Sequence, residues 1–459
     1  MHTRTQDTSV MRQTDTGLLV EATRSSTLPK KVIYILVRAR TSPKIVRWAF
    51  LLFVFTIPFE TIDLEAITRA SSLSRLAGLI FFSTCLLYPK VCFRRPLQAL
   101  WWFAGYAFIY VLNGFFIPEE FVAPFSEQLN TFIQLLVFCW IGSTLLQEEK
   151  LTRHTLLTFS VATLLSAISI LLGLPGFSEI LRGGRVALAG AGPNGFALIM
   201  ALGAQALIGF GIDQKLRNIW MRVAYMAMSL LPLTAMVYTG SRGGMLACVT
   251  GVALYALPYR GSKRKMIAIL GATVAVVGVI YVVAHDQSTT FRLQKAYERG
   301  DTAGRDKLFT ISVEMISEKP LLGWRPIVFA HELAQREGAI YGARAAHNLL
   351  LHLLLEGGLL GAMPFLIGLG LCVQAAWTAR VHSLGLLPLV WLITILVGSM
   401  ALSTLLYKSL WLVLTLSLAS GAFTVKQYKR KDLTVRTILQ RSQKLTSAPH
   451  ETWGIPEST

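Results

Sequence analysis

The residues of this sequence best suited to chemistry lie in four short polar clusters, three of which contain arginine. Arg182 and Arg185 flank two glycines, Arg242 lies inside a Thr-Gly-Ser-Arg-Gly-Gly turn, and Arg305 follows a glycine. A guanidinium is planar and permanently charged, and it can bind two oxygens of one phosphate. The simpler explanation for each arginine is a solvated group at the edge of a membrane. We interpret Arg242, Arg305 and Arg185 as candidate phosphate-binding residues.

The fourth cluster contains two histidines, of which His347 is the candidate catalytic residue. His347 lies where a polar stretch meets a strongly apolar one. An imidazole at such a water boundary titrates near neutral pH and can act as a general base, although a lone histidine is more often structural. His352 would lie about 140° away around a helix, so the pair is poorly placed to bind one metal ion. We expect His352 to be a packed histidine, and we predict neither a metal site nor a cofactor.

Three smaller polar residues accompany these clusters at the starts of predicted helices. Asn194 follows a Gly-Pro pair, Ser241 precedes Arg242, and Asn348 follows His347. Such residues are ordinary at helix starts. A helix N-terminus also presents free N–H groups and the positive end of the helix dipole, which favour a bound anion. We therefore expect Asn194, Ser241 and Asn348 to support the arginines and the histidine.

The elements that must position these residues are membrane helices. Hydrophobic residues make up 53% of the chain and charged residues 15%, and the mean hydropathy is +0.53. The apolar residues form runs of about 17 to 25, the length that crosses a bilayer as a helix. The twelve predicted spans are 46–62, 76–90, 97–117, 129–147, 155–174, 193–212, 219–239, 244–259, 265–284, 357–378, 384–404 and 408–425.

The distribution of charge predicts the topology of these spans. Residues 1–47 carry nine Lys/Arg against three Asp/Glu, and residues 426–459 carry seven against three. Cytoplasmic flanks of membrane proteins carry this excess, so we attribute the net charge of +19 to topology and lipid contact and predict no nucleic-acid partner. Both termini are then cytoplasmic. The segments predicted on the outer, periplasmic face are 175–192, 240–243 and 285–346.

The stretch 285–346 is the one sizeable polar region between predicted spans. It holds nine Lys/Arg and eight Asp/Glu, and its segment 305–319 has the periodicity of an amphipathic helix that Pro320 and Gly323 end. The apolar residues near one face of that helix are Leu308, Ile311, Met315 and Ile316. The predicted organisation is a basic tail (1–45), helices 1–9 (46–284), a periplasmic catalytic loop (285–346), helices 10–12 (347–425) and a second basic tail (426–459).

The order of the motifs resembles the O-antigen ligase and O-antigen polymerase superfamily. A Ser-Arg-Gly turn (241–243), a Gly-Arg pair (304–305), a Lys-Pro-Leu-Leu-Gly-Trp element (319–324) and a His-Asn-Leu-Leu run (347–350) are followed by Glu-Gly-Gly-Leu-Leu-Gly (356–361). The resemblance covers about residues 180–375. It implies an all-α, polytopic, GT-C-like membrane protein with one large periplasmic loop, located in the inner membrane of a bacterium.

The resemblance also implies an activity and roles for the candidate residues. The superfamily transfers a glycan from a polyprenyl diphosphate carrier such as undecaprenyl diphosphate. Carried onto this sequence, Arg242, Arg305 and Arg185 would hold the diphosphate, and His347 would be the general base. The reaction would be inverting and metal-independent, because guanidiniums can stabilise the charge that develops on the leaving phosphate oxygens.

Two alternatives to an O-antigen ligase acting on lipid A-core remain open. A polymerase of O-antigen or exopolysaccharide would use the same donor with a lipid-linked glycan as its acceptor. A transporter or flippase of lipid-linked glycan would need polar residues deep in the membrane. Glu356 and Lys408 are the main residues in the predicted spans that meet this requirement.

Overall fold

The computed structural model describes residues 42–60, 73–181, 184–213, 216, 218–255, 304–338, 342–381 and 384–446, together with the single residues 290, 294 and 298. About three quarters of these residues are helical. The first nine helices are α1 (Lys44–Thr56), α2 (Leu73–Leu87), α3 (Pro89–Cys92), α4 (Gln98–Gly114), α5 (Val122–Leu145), α6 (Glu149–Leu171), α7 (Pro193–Ile212), α8 (Ile219–Tyr238) and α9 (Arg242–Leu254). They are followed by α10 (Arg305–Glu318), α11 (Val328–Glu337), α12 (Leu349–Ala379), α13 (Leu387–Ser399) and α14 (Lys408–Thr446).

Six helices in the described part of the chain are long and apolar enough to cross a membrane: α5 with the short turn before it, α6, α7, α8, α12 and the first part of α14. Three shorter apolar helices, α2, α9 and α13, accompany them. Each predicted span except 265–284 overlaps a helix, and 265–284 lies outside the described residues. The number of twelve spans and the cytoplasmic location of the termini therefore stay predictions.

Helix α7 lies at the centre of the bundle, and small residues allow its neighbours to approach it closely. A Cβ atom on Gly203 would lie 2.2 Å from Oγ1 of Thr163 in α6. Across the helix, the side-chain amide of Gln205 donates to Thr394 in α13 at 2.8 Å. Small residues and interhelical hydrogen bonds are what hold helices together in lipid, where apolar burial drives association little. The N-terminus of α7, which begins beside Asn194, is thus fixed by the packing of the whole helix.

A short antiparallel hairpin interrupts the helices and corrects the all-α prediction. Strand β1 (Ser178–Leu181) pairs with β2 (Arg185–Leu188), with Leu181 opposite Arg185. Gly184 has φ +72°, a backbone conformation that glycine adopts without steric cost. The stretch between α6 and α7 contains six glycines and Pro175, which disfavour a helix, so pairing within the hairpin satisfies backbone groups instead. The candidate Arg182 lies outside the described residues.

The described residues 304–338 and 342–346 of the polar stretch share a small apolar core with the part of α12 before Gly358, which we call its outer half. Helix α10 confirms the predicted amphipathic helix: Leu308, Ile311 and Met315 are buried, and Ile316 packs beside them. The other residues of this core are Phe329, Leu333, Ala346, Leu351 and Leu355. Helix α12 begins at Leu349, before the predicted span at 357, and its backbone is broken at Gly358. The last helix likewise continues beyond its predicted end at 425, to Thr446.

Candidate functional site

Arg185, Asn194 and Ser241 form one hydrogen-bonded cluster at the end of the bundle where α7 and α9 begin. The guanidinium of Arg185 donates through Nε to the carbonyl oxygen of Thr239 at 2.7 Å and through Nη2 to Oδ1 of Asn194 at 3.0 Å. The Ser241 hydroxyl donates to the same Oδ1 at 2.9 Å. The hairpin, the start of α7 and the turn before α9 are therefore joined by three of the residues that the sequence singles out.

Arg242 is the first residue of α9 and is half-buried beside this cluster. Ser241 is the N-cap residue: its hydroxyl accepts a hydrogen bond from the N–H of Gly244 at 3.2 Å. A Cβ on Gly243 would lie 2.9 Å from Cβ of Ala401, and one on Gly244 would lie 2.6 Å from Cβ of Ala197. These two glycines thus allow close helix packing.

Arg305 and His347 lie near each other outside the bundle of long apolar helices. We call α10, α11 and the segments next to them the external part, a name that states no side of the membrane. Arg305 opens α10 directly after Gly304, whose φ is +75°. His347 has φ +49°, a conformation that costs a non-glycine residue about 1–3 kcal/mol and is concentrated at functional sites. Its Nδ1 is buried and has no hydrogen-bond partner among the described residues. His347 is therefore held in a strained position that its surroundings must impose.

The charge environment keeps His347 neutral. Burial lowers the pKa of its imidazole below the usual value, and the positive charges of Arg305 and Arg344 lower it further. The carboxylate of Glu337 opposes this shift and raises the pKa. A neutral imidazole has a free lone pair on one ring nitrogen, which is the form that accepts a proton. The arrangement is thus chemically suited to a general base that works at neutral pH.

Asn348 fixes the start of α12 immediately after His347. Its Oδ1 accepts hydrogen bonds from the N–H groups of Leu350 at 2.9 Å and Leu351 at 3.2 Å, which makes it the N-cap residue. Its Nδ2 donates to the carbonyl oxygen of Met400 at 3.4 Å. Asn348 thus anchors the chain directly after His347 to the connection between α13 and α14. The supporting role that the sequence suggested for Asn348 stays a prediction.

The connection between α13 and α14, residues 400–407, links the two halves of the site. Met400 contacts Asn348 beside the histidine, and Ala401 packs on Gly243 beside Arg242. Tyr407 packs on Gly195, where a Cβ would lie 2.9 Å from its ring. The starts of α7, α9 and α12 therefore meet on one short connection. Arg185 and Arg242 lie beside the starts of α7 and α9, His347 precedes α12, and Arg305 is close enough to lower the pKa of His347. The common periplasmic face of these residues stays a prediction.

Sequence reasoning missed the connection 400–407 and the pair Arg344–Glu337. Nε of Arg344 donates to Oε2 of Glu337 at 2.7 Å, and the backbone N–H of Arg344 donates to the carbonyl oxygen of Ala330 at 2.8 Å. The pair therefore joins the segment before His347 to α11. A cation three residues before the histidine was the available signal for Arg344. The connection gave none, because it lies within an apolar run.

His352 and Glu356 form a buried cluster inside α12 rather than part of the candidate site. The ring of His352 packs edge-on against Phe329 with 4.9 Å between the ring centroids. Glu356 accepts a hydrogen bond from the Tyr106 hydroxyl, and Nε2 of His352 lies 3.7 Å from its Oε2. These contacts confirm the expectation that His352 is a packed histidine. Lys408, the other residue considered for transport, pairs with Glu60 at 3.0 Å.

No group of three or more His, Cys, Asp or Glu side chains that could hold one metal ion occurs in the described part of the chain. All five cysteines are free and buried. Metal independence of the reaction stays a prediction, because other ligands could complete a site in the presence of substrate.

The comparison with known protein families bears on the same region of the chain. A family model described as O-antigen ligase matches residues 227–366, a segment that includes Arg242, Arg305 and His347. No curated protein matches the chain. The match and the six long apolar helices together indicate an integral membrane protein. The segment 227–366 is thus an O-antigen ligase family region, which confirms the resemblance that the order of the motifs predicts.

Proposed function

We propose that the protein is a membrane glycosyltransferase that moves a glycan from a polyprenyl diphosphate carrier to an acceptor hydroxyl on the periplasmic face of the bacterial inner membrane. Arg242, Arg305 and Arg185 hold the diphosphate, and His347 is the general base. Asn194, Ser241 and Asn348 keep these groups in place through the hydrogen bonds described above.

One observation carries this proposal: the start of α9, with Arg242, and the start of α12, next to His347, both contact the connection 400–407, and Arg305 lies close enough to His347 to lower its pKa. The N-termini of α9 and α10 each begin with an arginine, Arg242 and Arg305. Each of these arginines therefore places a guanidinium beside the N–H groups at the start of a helix, where the helix dipole favours negative charge. A diphosphate that spans both N-termini provides this negative charge and gains N–H donors as well.

The chemistry assigns one step to each group. The acceptor oxygen attacks the anomeric carbon of the donor sugar, and its proton passes to the neutral ring nitrogen of His347. The bond between that carbon and the phosphate oxygen breaks, and its electron pair stays on the diphosphate. Guanidiniums stabilise the charge as it develops there, which lowers the barrier. A single displacement of this kind inverts the configuration at the anomeric carbon.

The acceptor we favour is lipid A-core, so that the enzyme is an O-antigen ligase. A polymerase would differ only in using a second lipid-linked glycan as its acceptor. The match to the O-antigen ligase family supports glycan transfer and fits either acceptor.

The test is a transfer assay with the purified protein and a polyprenyl-diphosphate glycan. One reaction contains lipid A-core and a second contains only further donor. Glycan on the core identifies a ligase, and lengthened carrier-linked chains identify a polymerase. Absence of either product, together with ATP-independent movement of the donor across vesicles that contain the protein, would contradict the proposal and favour a flippase.

A further inference from the structure

The break in α12 is occupied by another part of the chain. In an unbroken helix the N–H of Leu359 would donate to the carbonyl of Leu355, four residues earlier. At Gly358 the backbone has φ 60° and ψ −162°, so this bond cannot form. The N–H of Trp324 donates to the Leu355 carbonyl at 2.6 Å instead, and the N–H of Leu359 donates to the carbonyl of Pro320 at 2.8 Å. The segment 320–324 is thus inserted into the hydrogen-bond ladder of the helix.

Glycine is required on both sides of this insertion. A Cβ on Gly358 would lie 2.3 Å from the carbonyl carbon and oxygen of Leu321. A Cβ on Gly323, whose φ is +66°, would lie 2.5 Å from the backbone nitrogen of Gly358. A further hydrogen bond, from the N–H of Leu360 to the carbonyl of Leu321 at 3.1 Å, completes the contact. We call residues 320–324 and 355–360 together the insertion contact.

Trp324 joins the insertion contact to both external helices. Its indole N–H donates to the carbonyl of Met315, near the end of α10, at 2.8 Å. The ammonium of Lys319 lies 3.5 Å from the centroid of its ring, and the guanidinium carbon of Arg336, from α11, lies 4.9 Å from it. Arg336 also makes two hydrogen bonds to Glu318 at the end of α10. Trp324 therefore contacts α10 and α11 through its side chain and α12 through its backbone.

These contacts determine how two functional residues are placed. Arg305 is at the start of α10, the helix that Trp324 holds at its other end. His347 directly precedes the outer half of α12, which ends at the insertion contact. That outer half shares an apolar core with α10 and α11. We propose that Trp324 is a positioning residue for glycan transfer, which fixes the external helices on the break of α12 and thereby fixes Arg305 relative to His347.

This inference rests on the proposed function, so its test includes a measurement that does not depend on activity. Lys307 on α10 and Ala345 beside His347 are both exposed, and the five native cysteines are buried. Spin labels on Lys307→Cys and Ala345→Cys report the distance between the two segments. We expect a narrow distance distribution with Trp324 present and a broad one after Trp324→Ala. A distribution that stays narrow would overturn the proposal even if the protein had no transferase activity.

The kinetic part of the test separates positioning from folding. Trp324→Ala should lower kcat about 100-fold per folded molecule, the effect of a small misplacement of reacting groups. The donor KM should change less than about 3-fold, because Arg242 and Arg185 lie in the bundle. Trp324→Phe keeps the ring and loses the indole donor, so it should restore most of kcat. An unchanged kcat in Trp324→Ala would contradict the proposal.

The matched control is Trp377→Ala. Trp377 lies near the other end of α12, and its ring is also stacked by a cation, with the guanidinium carbon of Arg380 4.1 Å from the centroid. Trp377→Ala therefore removes the same type of side chain, also stacked by a cation, at a position in α12 far along the chain from the insertion contact. The control should keep both the narrow distance distribution and full kcat. Equal losses in the two variants would assign the effect of Trp324 to general packing.

Discussion

The two halves of the candidate site are built in different ways. Arg185 and Arg242 belong to the bundle, where Asn194 and Ser241 connect elements that close helix packing already fixes. Arg305 begins the external helix α10 and His347 precedes α12, and these two helices are joined by a small apolar core and by the insertion contact. The bundle half is held by close helix packing, and the external half is held by contacts outside the bundle. This difference suggests a division of labour: Arg185 and Arg242 provide most of the donor binding, and Arg305 and His347 act mainly in the transfer step.

The largest expected effect comes from removing the base. We predict that His347→Ala lowers kcat by about 10²- to 10⁴-fold, the contribution typical of general base catalysis, and leaves the donor KM nearly unchanged. Initial rates over a range of donor concentrations measure both. His154→Ala, at an exposed histidine on α6, is the control and should behave as wild type. Near-full activity in His347→Ala would remove the base from the account.

The next effect concerns the bundle half. Arg242→Ala should raise the donor KM about 10- to 100-fold, because a charge-assisted hydrogen bond to phosphate contributes about 1.5–3 kcal/mol. Arg305→Ala should lower kcat as well, because Arg305 also lies beside the base. The same substitution at Arg75, an exposed residue of α2, tests for effects of charge alone. If Arg242→Ala changed kcat and left KM intact, the two halves would have to exchange roles.

A smaller effect is expected from placing a side chain in the insertion contact at the break of α12. Gly358→Ala should lower the free energy of unfolding of the external half by about 1–3 kcal/mol, because it places a side chain against Leu321 at a positive φ. Hydrogen exchange should rise at the amides of Leu359 and Leu360. Gly370→Ala is the matched control, since a Cβ at Gly370 meets nothing within 4 Å in the same helix. Unchanged exchange in Gly358→Ala would argue against the insertion contact.

The smallest effect is a displacement of the pH profile. Because Arg344 lowers the pKa of His347, Arg344→Ala should raise that pKa. The base is active when deprotonated, so the acid limb of kcat/KM should move to higher pH and the rate at high pH should stay the same. Glu337→Gln should move the limb in the opposite direction, because Glu337 raises the pKa. Two shifts in the same direction would contradict the assignment of the limb to His347.

The sequence predicted the parts of this molecule that follow from local periodicity. The spacing of Leu308, Ile311 and Met315 predicted α10 and its buried face. The angle around a helix predicted that His352 would not join His347. Each of these inferences uses residues within a few turns of one helix, where geometry is fixed by the helix itself.

The parts that the sequence did not predict depend on contacts between distant segments. The Gly-Gly pair at 357–358 was recognised as a motif, but its function as a break filled by residues 320–324 depends on backbone pairing that local pattern does not encode. The link from Met400 to Asn348 is of the same kind. The candidate site residues were therefore proposed from the sequence, whereas the long-range contacts that hold their helices were not predicted.

The division of labour is tested most directly by equilibrium binding of an undecaprenyl-diphosphate glycan to His347→Ala, compared with wild type and Arg242→Ala. The variant without the base cannot turn over the ligand, so binding is measured without product. We predict that His347→Ala binds the donor as tightly as wild type, and that Arg242→Ala binds it at least about 10-fold more weakly. Loss of donor binding in His347→Ala with retention in Arg242→Ala would contradict the account.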